Sequence, residues 1–139
     1  MNQSFQDMVL IFKRNKISDM DKTLQQLLEE AHAMVSRVAP SDILENHANY
    51  CIVDVREPNE VAESGKVINA LNIPRGVLEF RMKPDEEIKS DQPILVYCGG
   101  GSRAALAGKT LLELGFTNVQ NLGGLKDWIE AGGEVEPPT

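Results

Sequence analysis

The chain has 139 residues, a net charge of −7, 42% hydrophobic residues and 25% charged residues. That size and balance fit one globular domain with a proper core and exclude a disordered tract. The acidic charge, with no Lys/Arg run and no apolar stretch of spanning length, argues against nucleic acid and membrane as partners.

Phe5, Met8, Val9 and Phe12 recur at i, i+3, i+4 and i+7, which predicts a short first helix. Ser4 and Asp7 stand where a capping box would start it. The run Met8 to Phe12 is too short for a secretory signal, and Lys13, Arg14 and Lys16 follow it rather than precede it. A reducing cytoplasm is therefore the expected setting. Leu24, Leu27, Leu28, Ala31, Val35 and Val38 form the apolar stripe of a second helix, ended by Pro40. His32 has no partner at metal-ligand spacing, so it reads as a surface or boundary residue.

Beyond Val38 strands and helices alternate. "SDIL" opens a short helix after Pro40. "YCIVDVR" reads as a buried parallel strand. "EPNEVAESG" reads as a helix with Pro58 in its first turn and Gly65 at its end. "ALNIP" is a short strand, "GVLEFRM" a helical turn and "KPDEEIKSDQP" a solvated connection. "ILVYC" is the next strand. "RAALAGKTLLELG" is a helix closed by Gly115, with Phe116 placed for a Schellman contact. "NVQNL" is the last strand, "GGLKDWIEAGG" the last helix and "EVEPPT" a tail. This alternation predicts an α/β fold, a parallel sheet covered on both faces.

The chemistry is concentrated in "VYCGGGSR", Val96 to Arg103. Cys98 ends a strand, and ligands of open α/β sheets gather at the carboxyl ends of strands. Gly99, Gly100 and Gly101 let the backbone curl so that N–H groups face one point. The helix starting near Ser102 adds its positive end, so an anion is favoured there, and a Cys98 thiolate is the nearest candidate. Ser102 can cap that helix through its hydroxyl. Arg103 is placed either to bind an anionic substrate or to brace the loop against a carboxylate. Cys51, the other of two cysteines, lies inside an apolar strand with no such loop and reads as core, as do Phe116 and Trp128. Two cysteines make no disulfide framework. "AGKT", Ala107 to Thr110, looks like the end of a phosphate-binding loop. However, Arg103 stands where that motif needs glycine, and the segment falls in mid-helix.

Four segments in order, "IVDVREPNE", "GKVINALNIP", "LVYCGGGSRA" and "LLELGFTNVQNLGGLKDWIEAGGEV", resemble the rhodanese domain of sulfurtransferases. The resemblance divides the chain into an N-terminal helical extension, residues 1–36, and a rhodanese-like domain, residues 37–139. It implies a five-stranded parallel sheet with helices on both faces and a catalytic Cys98 that carries sulfur as a persulfide. Residues 99–103 would form the substrate-binding loop. Asp54 and Arg56 would support it, more as a salt-bridged strand end than in direct contact with substrate. No metal or organic cofactor is required. The implied partners are a sulfane-sulfur donor, a protein persulfide among the candidates, and a thiol or cyanide acceptor. Lys66 and Asn69 stand where the family often has His and Gly, a difference expected to affect packing. Thiosulfate-using members often carry basic or bulky loop residues. The bare glycines here imply a persulfide donor reaching an open, accessible cysteine. A cysteine phosphatase of related fold is the alternative enzyme, but the resemblance gives those a Cys-x5-Arg loop and this chain has Cys-x4-Arg. A non-catalytic docking module is a further alternative; such modules usually lose the cysteine. The N-terminal helices are open to packing on the domain, forming a homodimer or docking another protein.

Overall fold

The computed structural model describes residues 5–8 and 21–139. Residues 5–8 are helical; Val9 and Phe12, the rest of the first predicted face, lie outside the described residues. The elements that follow are α1 (Leu24–Met34), β1 (Cys51–Asp54), α2 (Pro58–Ser64), β2 (Lys66–Val67), β3 (Leu71–Asn72), α3 (Leu78–Arg81), β4 (Ile94–Cys98), α4 (Ser102–Glu113), β5 (Val119–Gly124), α5 (Leu125–Glu130) and β6 (Val135–Glu136). Tight 3-10 turns at Pro40–Asp42 and Arg75–Val77 occupy two places where sequence predicted short helices.

The main sheet is parallel and has four strands, in the order β3-β1-β4-β5, rather than the five expected. The missing edge strand is reduced to one bridge. Arg37 pairs with Asn121 of β5, held by Val38 N–H to Asn121 O at 3.0 Å and Asn121 N–H to Ser36 O at 2.9 Å. Pro40, which cannot donate to a ladder, follows within three residues and the chain turns away. The predicted tail is also ordered: β6 pairs antiparallel with β2, Lys66 opposite Glu136.

Side-chain alternation along β1 and β4 divides the core between the two faces of the sheet. Val53, Val96 and Cys98 face one cluster, with Ala104, Ala107, Leu111 and Phe116. Ile52, Leu95 and Tyr97 face the other, with Leu122, Leu125 and Trp128. Trp128 is fully buried and its indole N–H donates to Glu134 O at 2.8 Å. The α4 helix ends as its sequence predicts. Gly115 takes φ 109°, and Phe116 N–H and Gly115 N–H return to Leu111 O and Leu112 O, both at 3.1 Å.

The second helix departs from its stripe. It starts at a Thr23–Gln26 capping box and ends at Met34, with Val35 already extended. Ala31 and Val35 are buried, Val35 against Gly108 of α4; Leu24 and Met34 are exposed. His32 is exposed, as expected. Gly108, from the false phosphate-loop motif, is the small residue that lets Val35 approach the middle of α4: a Cβ there would lie 2.8 Å from Val35 Cγ1.

Candidate active site

Register places the two cysteines at opposite ends of neighbouring strands. Cys51 pairs with Ile94 at the amino end of β4, and Cys98 ends that strand at its carboxyl edge. Cys51 is half-buried, and burial pushes its thiol pKa up, which keeps it in the less reactive neutral form. Cys98 sits under its own loop. Gly101 N–H donates to Sγ at 2.9 Å. Gly99 and Gly100 are exposed, but Cys98 is 1% exposed. The expectation of an open cysteine is therefore corrected: the loop is on the surface and the sulfur is beneath it.

The loop is held from three sides. Gly101, at φ 108°, is the N-cap of α4, so the cap is glycine and not Ser102, which makes no capping bond and faces outward. Asn121, fully buried in β5, donates through Nδ2 to Gly101 O at 3.0 Å and accepts Gly123 N–H at 2.8 Å. Gly124 touches the loop from below. A Cβ there would collide with Gly99 O and lie 2.9 Å from Gly99 C and 3.4 Å from Gly100 Cα. Since Gly124 has φ −123°, close approach and not backbone conformation requires the glycine.

Arg103 braces the third side. Its guanidinium forks onto Glu60 of α2, Nη1 to Oε1 at 2.7 Å and Nη2 to Oε2 at 3.1 Å. Glu60 Oε1 also accepts Glu57 N–H at 3.0 Å, so the carboxylate caps α2 while it holds the loop. The Arg103 fork holds the Glu60 carboxyl at a pKa of about 2.

Asp54 and Arg56 form a buried ion pair. Arg56 donates through Nε to Asp54 Oδ1 at 3.0 Å and through Nη2 to Oδ2 at 2.7 Å. Its remaining donors go to Ser64 Oγ at 2.7 Å and Gly65 O at 2.6 Å. The pair thus ties the end of β1 to the end of α2. Tyr97, beside it, accepts Val67 N–H at 2.9 Å, and burial pushes its hydroxyl pKa up. Lys66 bonds Ala70 O and Glu136, and Asn69 adopts φ 61°, the left-handed region that favours glycine. The two departures from the family pattern thus lie in β2, at Lys66, and in the turn between β2 and β3, at Asn69.

A cavity of about 520 Å³ opens beside Gly99. Arg56 and Gly99 border it on one side; Leu125, Lys126, Ile129 and Glu130 of α5 border it on the other. Among the described residues no cluster of His, Cys, Asp or Glu could hold a metal, and no helix is long and apolar enough to cross a membrane.

Of the sequence-predicted residues, Cys98, the glycines and Arg103 come together around one loop, and Arg56 reaches the adjoining cavity. Sequence reasoning missed Glu60, Asn121 and the α5 wall. Asn121 left only a weak signal, since it stands beside a second polar residue, Gln120, in its strand. Glu60 left none, because its partner lies 43 residues away.

The site is thus a cysteine at the carboxyl end of a parallel strand, in a glycine loop at the start of a helix, within an α/β domain. The chain belongs to the rhodanese family: the model of the rhodanese-like domain matches residues 39–131. It is 41% identical over 86 residues to the uncharacterized protein YqhL of Bacillus subtilis, covering 61% of this chain and 63% of that one. It is 37% identical over 75 residues to thiosulfate sulfurtransferase PspE of Escherichia coli, covering 54% of this chain and 70% of PspE. A Rhodopseudomonas palustris structure, described as a protein of unknown function and possible tyrosine phosphatase, superposes with a TM-score of 0.72. It is 32% identical and covers 83% of this chain and 95% of that one. The chain thus spans a little under two thirds of YqhL.

Proposed function

We propose that the protein is a sulfurtransferase that moves a sulfane sulfur through a persulfide on Cys98. The observation that carries this is the Gly101 N–H donated to Cys98 Sγ at 2.9 Å, at the start of α4. A donor N–H and a helix N-terminus stabilise negative charge on sulfur, in the thiolate before transfer and in the persulfide after it. Family membership and the name of PspE support the reaction class.

The transfer takes two steps. The Cys98 thiolate attacks the outer sulfur of a persulfide donor. The donor's S–S bond breaks, its electron pair leaves on the donor thiolate, and Cys98–S–SH forms. An acceptor thiolate or cyanide then attacks the outer sulfur, and the electron pair returns to Cys98. No net oxidant is consumed, and ping-pong kinetics follow. Gly99, Gly100 and Gly101 form the loop wall, and Arg103, Asp54 and Arg56 position it. The donor approaches through the cavity beside Gly99.

We read residues 1–36 as an appended helical element of the domain 37–139, with α1 packed against α4. The exposed face of α1, Leu24 and Met34 among it, is the surface we assign to a homodimer contact. The phosphatase reading rests on the description of the R. palustris structure. The Cys-x4-Arg count argues against it, because the shorter loop suits one sulfur atom better than a tetrahedral phosphate. Loading the protein with a sulfane-sulfur donor and mapping the modified peptide tests the proposal: sulfur on Cys98 supports it, and sulfur on Cys51 alone rejects it.

A further inference from the structure

The cations around the Cys98 loop come with carboxylate partners. Arg103 is forked onto Glu60 at 2.7 and 3.1 Å. Arg56, at the cavity wall, is paired with buried Asp54 at 2.7 Å. Lys126 stands 3.9 Å from Glu130 on the opposite wall. The mouth is therefore close to neutral, with Leu125 and Ile129 as its apolar side.

Two ion pairs flank the loop: Arg37, with Nη1 3.1 Å from the position a Cβ on Gly101 would take, pairs with Asp127 at 3.5 Å, and Arg103 pairs with Glu60. Arg103 Nη2 lies 3.1 Å from the position a Cβ on Gly99 would take, so the guanidinium lies against the loop wall. Its charge also couples to Cys98. Glu60 is neutralised only in strong acid, since its carboxyl titrates at about 2. At any physiological pH it cancels the Arg103 charge.

We propose that Glu60 is a donor-selecting residue: by neutralising Arg103 at the loop wall it disfavours dianionic sulfur donors such as thiosulfate and leaves the site to persulfides of low charge. This deepens, and rests on, the sulfurtransferase reading. A dianion gains from an uncompensated cation at the mouth, whereas a persulfide of at most one negative charge gains much less. Thiosulfate would still react by the same balance, with sulfite as the leaving group. The selection acts on how well the dianion is held.

The test measures kcat/KM for thiosulfate and for a low-molecular-weight alkyl persulfide in wild type, Glu60→Gln, Arg103→Gln and the double variant. The ratio of thiosulfate to persulfide is expected to rise about tenfold in Glu60→Gln, the scale of one charge contact in a partly solvated site. It falls by a similar factor in Arg103→Gln, where Glu60 is left unpaired, and returns near wild type in the double variant. A purely bracing pair lowers both donors together and leaves the ratio unchanged in all variants, which overturns the proposal. If Glu60→Gln does not fold, Arg103→Gln against wild type carries the same comparison. Failure of the sulfurtransferase reading looks different: neither donor would load Cys98 even in the wild type.

Discussion

Gly124→Ala adds one methyl group where β5 meets the Cys98 loop. The new Cβ would lie 2.9 Å from Gly99 C and 3.4 Å from Gly100 Cα, and closer still to Gly99 O. Carbon atoms in contact prefer about 3.5–4.0 Å, so the loop must retreat by at least ~0.6 Å. The obstacle is backbone on both sides, and Gly101 is itself tied to Asn121, so no flexible side-chain end can yield. Overpacking of this kind costs about 1–3 kcal/mol. At roughly 4 °C per kcal/mol for a chain of this size, Tm falls by about 4–12 °C. Displacing a reacting atom by about 1 Å can cost on the order of 100-fold in rate. Sulfur uptake by Cys98 from a persulfide donor, followed by intact mass against time, should therefore slow by one to two orders of magnitude. Gly76→Ala is the control for stability, since a Cβ there meets nothing within 4 Å. A Gly124→Ala protein with wild-type Tm and wild-type uptake would refute the claim that the end of β5 sets the loop.

Asp54→Ala leaves Arg56 buried with its main counter-charge gone, and should cost about 3–5 kcal/mol in urea unfolding. Gly108→Ala gains up to ~1 kcal/mol of helix propensity but drives a methyl to 2.8 Å from Val35 Cγ1; the net effect is destabilising, and Val35→Ala in the same chain should recover part of it. The folded pKa of Glu60, about 2, lies below the unfolded carboxylate value of about 4.3. Its stabilising contribution is complete above the unfolded value and is lost as pH falls from about 5 toward 2. Urea midpoints of Glu60→Gln should vary less with pH than wild type across that window. The protein should not hydrolyse an aryl phosphate; Cys98-dependent turnover of such a substrate would restore the phosphatase reading. Deleting residues 1–36 removes Ala31, Val35 and the Ser36 bond to Asn121, and should lower both Tm and any dimer mass.

Much of this fold could be read locally. The apolar strands β1 and β4, the Pro58 and Gly65 ends of α2, and the Gly115–Phe116 closure of α4 all follow from residues within a few positions of each other. The departures come from long-range competition. The α1 stripe ran to Val38, but Ser36 and Val38 spend their backbone groups on Asn121, so the helix stops at Met34. The segment EVEPPT reads as a tail, yet Glu136 finds Lys66 and Asn69, and β6 forms. At the site, the cysteine, the glycines and Arg103 were adjacent in sequence and therefore visible as a unit. The carboxylate that braces Arg103 was anticipated as a type of partner, but its identity as Glu60 depends on a long-range approach across 43 residues of sequence. The burial of Cys98 was likewise hidden, since the glycines in sequence do not reveal that the Gly101 N–H closes onto the sulfur while Gly124 packs against the backbone of Gly99 and Gly100.

The most direct measurement is intact and peptide mass spectrometry of the wild-type protein after exposure to a persulfide donor, repeated after cyanide. The account predicts a gain of one sulfur atom, located on Cys98, that cyanide removes and that Cys98→Ser abolishes. No sulfur gain, or a gain that persists in Cys98→Ser, would contradict it.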